Sequence, residues 1–194
     1  KQRSVVEILK KFNPKTVLDI GANTGWYSFL AESLGSQVIA IESDIACVDI
    51  IFCEAIKRNA KILPLHRAFS DLDQEIFSHD SSKIPLFRSL SERIPSELVL
   101  ILGLAHHLTL GEGQSIEQVF EKVSKITQKT LVMEFIDLSD EKIVLYPEFF
   151  SNLSKFNSTN YNFDIFKKIG LKYFSNFEFY ESNPSTRIIL VFSK

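Results

Sequence analysis

Val17-Leu18-Asp19-Ile20-Gly21-Ala22-Asn23-Thr24-Gly25 is the stretch that decides the fold. Thr16 to Ile20 reads as a buried strand. It runs into two glycines separated by three residues, and then into a helix from Gly25 to about Ser33. Glycines are needed where a backbone turns sharply and a ligand approaches too closely for a Cβ. The helix N-terminus beyond them offers unpaired N–H groups and a partial positive charge. Glu42 follows at the end of a second strand, Gln37 to Glu42. An acidic side chain there can accept both hydroxyl hydrogens of a ribose.

The same alternation continues outward. Ser4 is positioned to cap a helix through Phe12, which Asn13-Pro14 ends. Asp44 to Asn59 reads as a helix capped by Asp44, and Lys61 to Leu65 as a third strand. Leu98 to Leu102 is a fourth strand, Ser115 to Gln128 a helix capped by Ser115, and Thr130 to Ile136 a fifth strand. Strands separated by helices imply βαβ units and a mainly parallel sheet. Between the third and fourth strands, residues 68–97 read as a long loop carrying Asp71, Asp73, His79 and Asp80; such loops are usually functional. From 149 onward the chain is rich in Phe. Tyr161 to Ile169 reads as a helix. Tyr173 to Tyr180 and Thr186 to Phe192 read as a closing hairpin.

The chain has 194 residues, 45% hydrophobic and 24% charged, the composition of one globular domain. Its net charge of −2 argues against broad nucleic-acid binding. Cys47 and Cys53, six apart, match no zinc pattern and read as reduced thiols of a cytoplasmic protein. No two of His66, His79 and their acidic neighbours have metal-ligand spacing, so no metal is expected. No apolar run is long enough to span a membrane, and Lys1-Gln2-Arg3-Ser4 leads into no signal-peptide core. The only Met is Met133, so the sequence reads as the later part of a longer protein.

Two ligand classes compete for the glycine turn. A dinucleotide fingerprint requires GxGxxG, but Asn23 and Trp26 stand at its second and third glycine positions. That disfavours a nicotinamide-dependent oxidoreductase. Asp19-Ile20-Gly21-Ala22-Asn23-Thr24-Gly25 resembles the first motif of class I S-adenosylmethionine-dependent methyltransferases, and Val38-Ile39-Ala40-Ile41-Glu42-Ser43-Asp44 resembles their second. Leu102-Gly103-Leu104-Ala105-His106-His107-Leu108, Val132-Met133-Glu134-Phe135 and Thr186-Arg187-Ile188-Ile189-Leu190 resemble a subgroup described as nodulation-related or general small-substrate methyltransferases. The likeness covers about residues 15–194.

The resemblance implies an α/β, Rossmann-like, seven-stranded, mostly parallel sheet with an antiparallel final strand and helices on both faces. It implies S-adenosylmethionine as cofactor and S-adenosylhomocysteine (SAH) as product. Asp19 would orient the loop and meet the methionine amino group. Gly21, Ala22, Asn23, Thr24 and Gly25 would form the loop around the cofactor, and Glu42 with Ser43 would hold the ribose. Gly103 and Leu104 would border the cofactor after the fourth strand. The family often has an acidic residue just after the third strand, near the adenine. Ala68 stands there instead, which leaves Asp71 to reach the adenine and Phe69 to pack on its face.

Methyl transfer is an in-line displacement at an activated carbon, so the protein chiefly supplies proximity and orientation. A base is needed only if the acceptor must lose a proton. His106 and His107 follow the fourth strand and are candidates for that base, with packing as the alternative. Glu134, inside an apolar strand, must be hydrogen-bonded or charge-paired, and either reaches the substrate or serves the backbone. Trp26 and Tyr27 read as core packing or as an aromatic wall, with Tyr27 a substrate candidate. Phe149, Phe150, Phe156, Phe163 and Phe166 read as core unless several prove exposed together. After the fourth strand there is neither an Asn/Asp-Pro-Pro-aromatic motif nor a Pro-Cys pair, which disfavours amino groups of bases and cytosine C5. The expected acceptor is an O or N atom on a small molecule, with a protein acceptor as alternative. A different class remains open, a non-catalytic module docking on a partner or on a preceding N-terminal region.

Overall fold

The computed structural model describes residues 1–77 and 85–194. Seven strands form one sheet: β1 (Thr16–Ile20), β2 (Gln37–Glu42), β3 (Ile62–His66), β4 (Ser96–Ile101), β5 (Thr127–Ile136), β6 (Asn176–Glu181) and β7 (Arg187–Ser193). Their spatial order is β3-β2-β1-β4-β5-β7-β6. The pairs from β3 to β5 are parallel, and β7 runs antiparallel to both of its neighbours. Chain order reverses beside β1, and the strand ends there form the crevice where open α/β sheets bind ligands.

The apolar runs explain the layering. Central strands of a parallel sheet are covered on both faces and need apolar residues at nearly every position. Accordingly Val17, Leu18, Val99, Leu100, Leu131 and Val132 are fully buried. On one face α1 (Gln2–Phe12) and α2 (Trp26–Ser33) pack, with Val5, Ile8 and Leu9 against Leu98, Val132, Ile189 and Val191. On the other face α5 (Ile116–Ile126) and α7 (Phe163–Gly170) press Val119, Phe120, Val123 and Phe166 onto Leu131, Met133 and Phe192. α3 (Ile45–Arg58) starts at Asp44, whose carboxylate accepts from the Ala46 N–H. α5 starts at Ser115, whose hydroxyl and the Gln118 side chain exchange bonds with each other's backbone N–H.

Several local expectations shift. Ser4 is not a cap: α1 begins at Gln2, and the Ser4 hydroxyl instead donates to the Glu181 carbonyl at 2.9 Å, fastening the helix to β6. Residues 68–97 are not one loop. They include a 3-10 turn (Phe69–Asp73), a two-stranded ladder of Ile76–Phe77 with Pro85–Phe87, and α4 (Leu90–Arg93). His79 and Asp80 lie outside the described residues. Asn162 caps α7, and Tyr161 instead is buried against Phe135 and Phe166. Phe150 and Phe166 are core, whereas Phe149 is exposed beside exposed Val144, Leu145 and Tyr146. Trp26 is 46% exposed, packed edge-on to Tyr27, because it opens α2 on the solvent side of the loop. Among the described residues no helix is long and apolar enough to cross a membrane.

Candidate active site

The turn after β1 is anchored to β2: the N–H groups of Gly21 and Ala22 donate to the Ile41 carbonyl at 2.8 and 3.1 Å. Gly21, Asn23 and Gly25 have φ of 74°, 50° and 83°. That left-handed region is open to glycine and tolerated by asparagine. A Cβ at Gly21 would sit 3.1 Å from Leu104 Cδ2, so this glycine lets the β1 and β4 loops close together at the crevice. A Cβ at Gly25 would sit 2.9 Å from Ile51 Cγ1. The second glycine therefore admits α3, and its role is packing.

Glu42 ends β2 at the cleft. Its Oε2 accepts from the Asn23 N–H at 2.8 Å, and its Oε1 accepts from the N–H groups of Ser43 and Asp44 at 2.7 and 3.0 Å. These bonds hold the carboxylate against the turn with lone pairs to spare. Asp19 lies beneath, 2% exposed, accepting from the Ser28 hydroxyl at 2.7 Å. Burial pushes its carboxyl up to about 6, the Ser28 bond opposes this, and the Glu42 charge adds to it.

The cleft has a volume of about 480 Å³. It brings together Gly21, Asn23, Glu42, Ser43, Phe69, Gly103, Leu104, His106 and His107 from the residues singled out in the sequence. Asp19, Ala22, Thr24, Gly25, Asp71, Tyr27 and Glu134 are not on its wall. The Asp71 carboxylate turns back to accept from the Ala68 N–H at 2.9 Å, holding the 3-10 turn that presents Phe69. Glu134 is wholly buried. Its Oε2 pairs with Lys1 Nζ at 2.7 Å, while its Oε1 has no hydrogen-bond partner among the described residues. Lys1 lies on the cleft wall and over the Tyr27 ring. The Tyr27 hydroxyl is driven well above its ordinary range by burial and by the nearby carboxylates of Glu134 and Asp19.

His106 is 8% exposed, its ring 4.1 Å from that of His107, and its Nδ1 has no hydrogen-bond partner among the described residues. Burial, with the neighbouring His107 and Arg187, pulls its pKa down to about 3. His107 is more open, stacks on Phe150, and is lowered mainly by desolvation. The far wall holds residues to which the sequence reading gave no role in the site. Arg187, at the start of β7, forms a fork with Asp140: Nε to Oδ2 and Nη2 to Oδ1, both 2.8 Å. The Thr186 hydroxyl and the Lys142 N–H also donate to Asp140, which is pulled to about 2, chiefly by Arg187. Lys142 joins this wall. No spacing rule links position 140 to 187, and the antiparallel insertion of β7 is what makes them neighbours.

No known protein-family model matches the chain. A 145-residue stretch is 27% identical to nodulation protein NoeA of Rhizobium meliloti (strain 1021), covering 74% of this chain and 29% of that protein. Magnesium protoporphyrin IX methyltransferase from Synechocystis PCC 6803, solved with SAH bound, superposes with a TM-score of 0.62 over 99% of this chain and 81% of its own, at 13% identity. The chain has the class I methyltransferase fold. The bifunctional kinase-methyltransferase WbdD agrees, with a TM-score of 0.66 and 13% identity over 100% of this chain but 39% of its own. This methyltransferase fold therefore spans well under half the length of NoeA and WbdD. Its sheet carries the antiparallel final strand expected from the resemblance, and the match to NoeA, a nodulation protein, is consistent with it.

Proposed function

We propose that the protein is an S-adenosylmethionine-dependent methyltransferase acting on an O or N atom of a small molecule. The observation that carries this reading is the Glu42 carboxylate, held by three backbone N–H groups at the mouth of a glycine turn. The fit is supported by the backbone: Gly103 has φ of 74°, and a Cβ there would have no atom nearer than 3.6 Å, projecting toward the Lys1–Glu134 pair. The positive φ favours glycine here, so the main chain itself, without a side chain, borders the cleft. Glu42 would accept the ribose hydroxyls and Phe69 would face the adenine, with Gly21, Gly103 and Leu104 bordering the rest.

The cofactor, when bound, supplies a methyl group already activated on a sulfonium. The remaining work falls to the chain: binding, orienting the acceptor, and excluding water. Burial and the neighbouring His107 and Arg187 disfavour the charged form of His106, which leaves it a role in shape and hydrogen bonding. His107, more open and shifted toward its neutral form by desolvation, is the group able to take a proton from an acceptor hydroxyl or amine.

The test is calorimetric titration with SAH beside NADH, with Glu42→Ala as control. Micromolar SAH binding that is lost in the variant and absent for NADH supports the reading; binding of NADH alone overturns it. A docking module is the second reading, motivated by the exposed Val144, Leu145, Tyr146 and Phe149. It would take the lead if SAH bound but no methyl left S-adenosylmethionine with any acceptor offered.

A further inference from the structure

We infer that the acceptor carries an anionic group, a carboxylate or a phosphate ester, which Arg187 and Lys142 hold at the far end of the cleft. The inference rests on the methyltransferase reading and deepens it. Glu42 ends β2 and Arg187 begins β7, four strand positions away, or about 19 Å at the usual spacing. Arg187 is thus on the β5–β7 side, beyond His106 and His107, while the nucleoside-binding features gather at β2 and the turn after β3.

The chemistry of that wall is one-sided. Asp140 is 1% exposed, and its oxygens already accept from Arg187, Thr186 and the Lys142 backbone. Arg187 is 17% exposed. Its Nη1 donates to no group among the described residues, and it is Arg187, not Asp140, that lines the cleft. A guanidinium locked by a fork on one edge is preorganised to meet a second anion on another. Lys142 is held by its backbone N–H to the same Asp140, and its ammonium has no partner among the described residues. One buried carboxylate therefore locks the Arg187 guanidinium of β7 and, through a backbone N–H, the start of α6 (Glu141–Leu145) from which the Lys142 side chain extends. Of the cleft's two acidic side chains, Glu42 is at the opposite end and Glu112 accepts from Gln114 Nε2. The cleft's other cations are placed differently: Lys1 is paired with Glu134, and Arg67 donates to the His66 carbonyl at the β3 end.

The test follows the ring resonances of His106 and His107 in protein saturated with SAH, during titration with inorganic phosphate or acetate at constant ionic strength. A saturable shift with either anion, without displacement of SAH, supports the inference. The phosphate arm identifies a phosphate ester and the acetate arm a carboxylate. Lys142→Ala, a change at an exposed residue, should weaken the anion about fivefold, and Arg187→Lys should weaken it further, since the charge stays but the fork is lost. No shift with either anion would overturn the inference, as would an anion that displaces SAH, because the cations would then serve the cofactor. An unchanged affinity in both variants would also overturn it. Failure of SAH to bind would instead strike the methyltransferase reading.

Discussion

Asp19→Asn should stabilise the protein at neutral pH and do almost nothing at pH 4. Asp19 is 2% exposed, and burial raises its pKa from 3.8 to about 6. The folded state therefore binds a proton that the unfolded chain has already released between those two values. Stability then falls as pH rises through this window, and the full penalty is present above about pH 6. Two pH units at ~1.4 kcal/mol each give about 3 kcal/mol. The amide carries no charge and keeps an oxygen for the Ser28 hydroxyl, which donates to Asp19 at 2.7 Å. Urea unfolding followed by far-ultraviolet circular dichroism, at pH 4 and pH 7.5, measures the difference directly. The variant's advantage should grow by about 3 kcal/mol between the two. A difference that stays constant, or that turns against the variant as pH rises, would show that Asp19 is not held uphill by burial. The same variant should bind SAH more weakly. A charge kept beneath the loop at a cost in stability would then have its reason in ligand binding.

Glu42→Gln should weaken SAH about ten- to a hundredfold in calorimetry, the scale of hydrogen bonds to a charged group, with little change in melting temperature. Asp140 behaves oppositely to Asp19. Arg187 holds it down to about 2, so its contribution is complete above about pH 4 and is lost as pH falls toward 2. Asp140→Asn should flatten that part of the acid-unfolding curve. The His106 ring, lowered to about 3, should show no titration by NMR between pH 5 and 8; a midpoint near 6.5 would mean that its burial is broken in solution. Gly170→Ala should cost about 1–3 kcal/mol in thermal or urea unfolding, because the new methyl would run into the Phe192 ring.

What was legible in the sequence was local. Val17 to Gly25 announced a strand, a turn and a helix because each state has its own residue chemistry, and Glu42 followed from strand length. Asp44 and Ser115 signalled their helices because capping is a contact within three residues. The illegible parts depend on distant partners. Ser4 looks like a cap, but its hydroxyl is claimed by Glu181. Asp71 is close enough to the cleft in sequence, yet a backbone N–H three residues away takes its carboxylate. Gly25 reads as a ligand glycine, and only the approach of Ile51 reveals its packing role. Lys1 with Glu134, and Asp140 with Arg187, are pairs made by topology across long stretches of chain. No periodicity carries them.

The position of β7 has a consequence for how the molecule comes into being. β6 precedes β7 in the chain but lies outside it in the sheet, so β6 has no neighbour to pair with until β7 has slotted against β5. During synthesis residues 176–181 would therefore have to wait for residues 187–193, a few positions later, before they can dock. α1, made well ahead of β6, must wait as well, because Ser4 and Lys11 fasten to Glu181 and Glu178 on that strand. Assembly is thus gated by a segment translated near the close of this sequence. Loss of Arg187–Ser193 alone would cost two strands and the seat of the first helix.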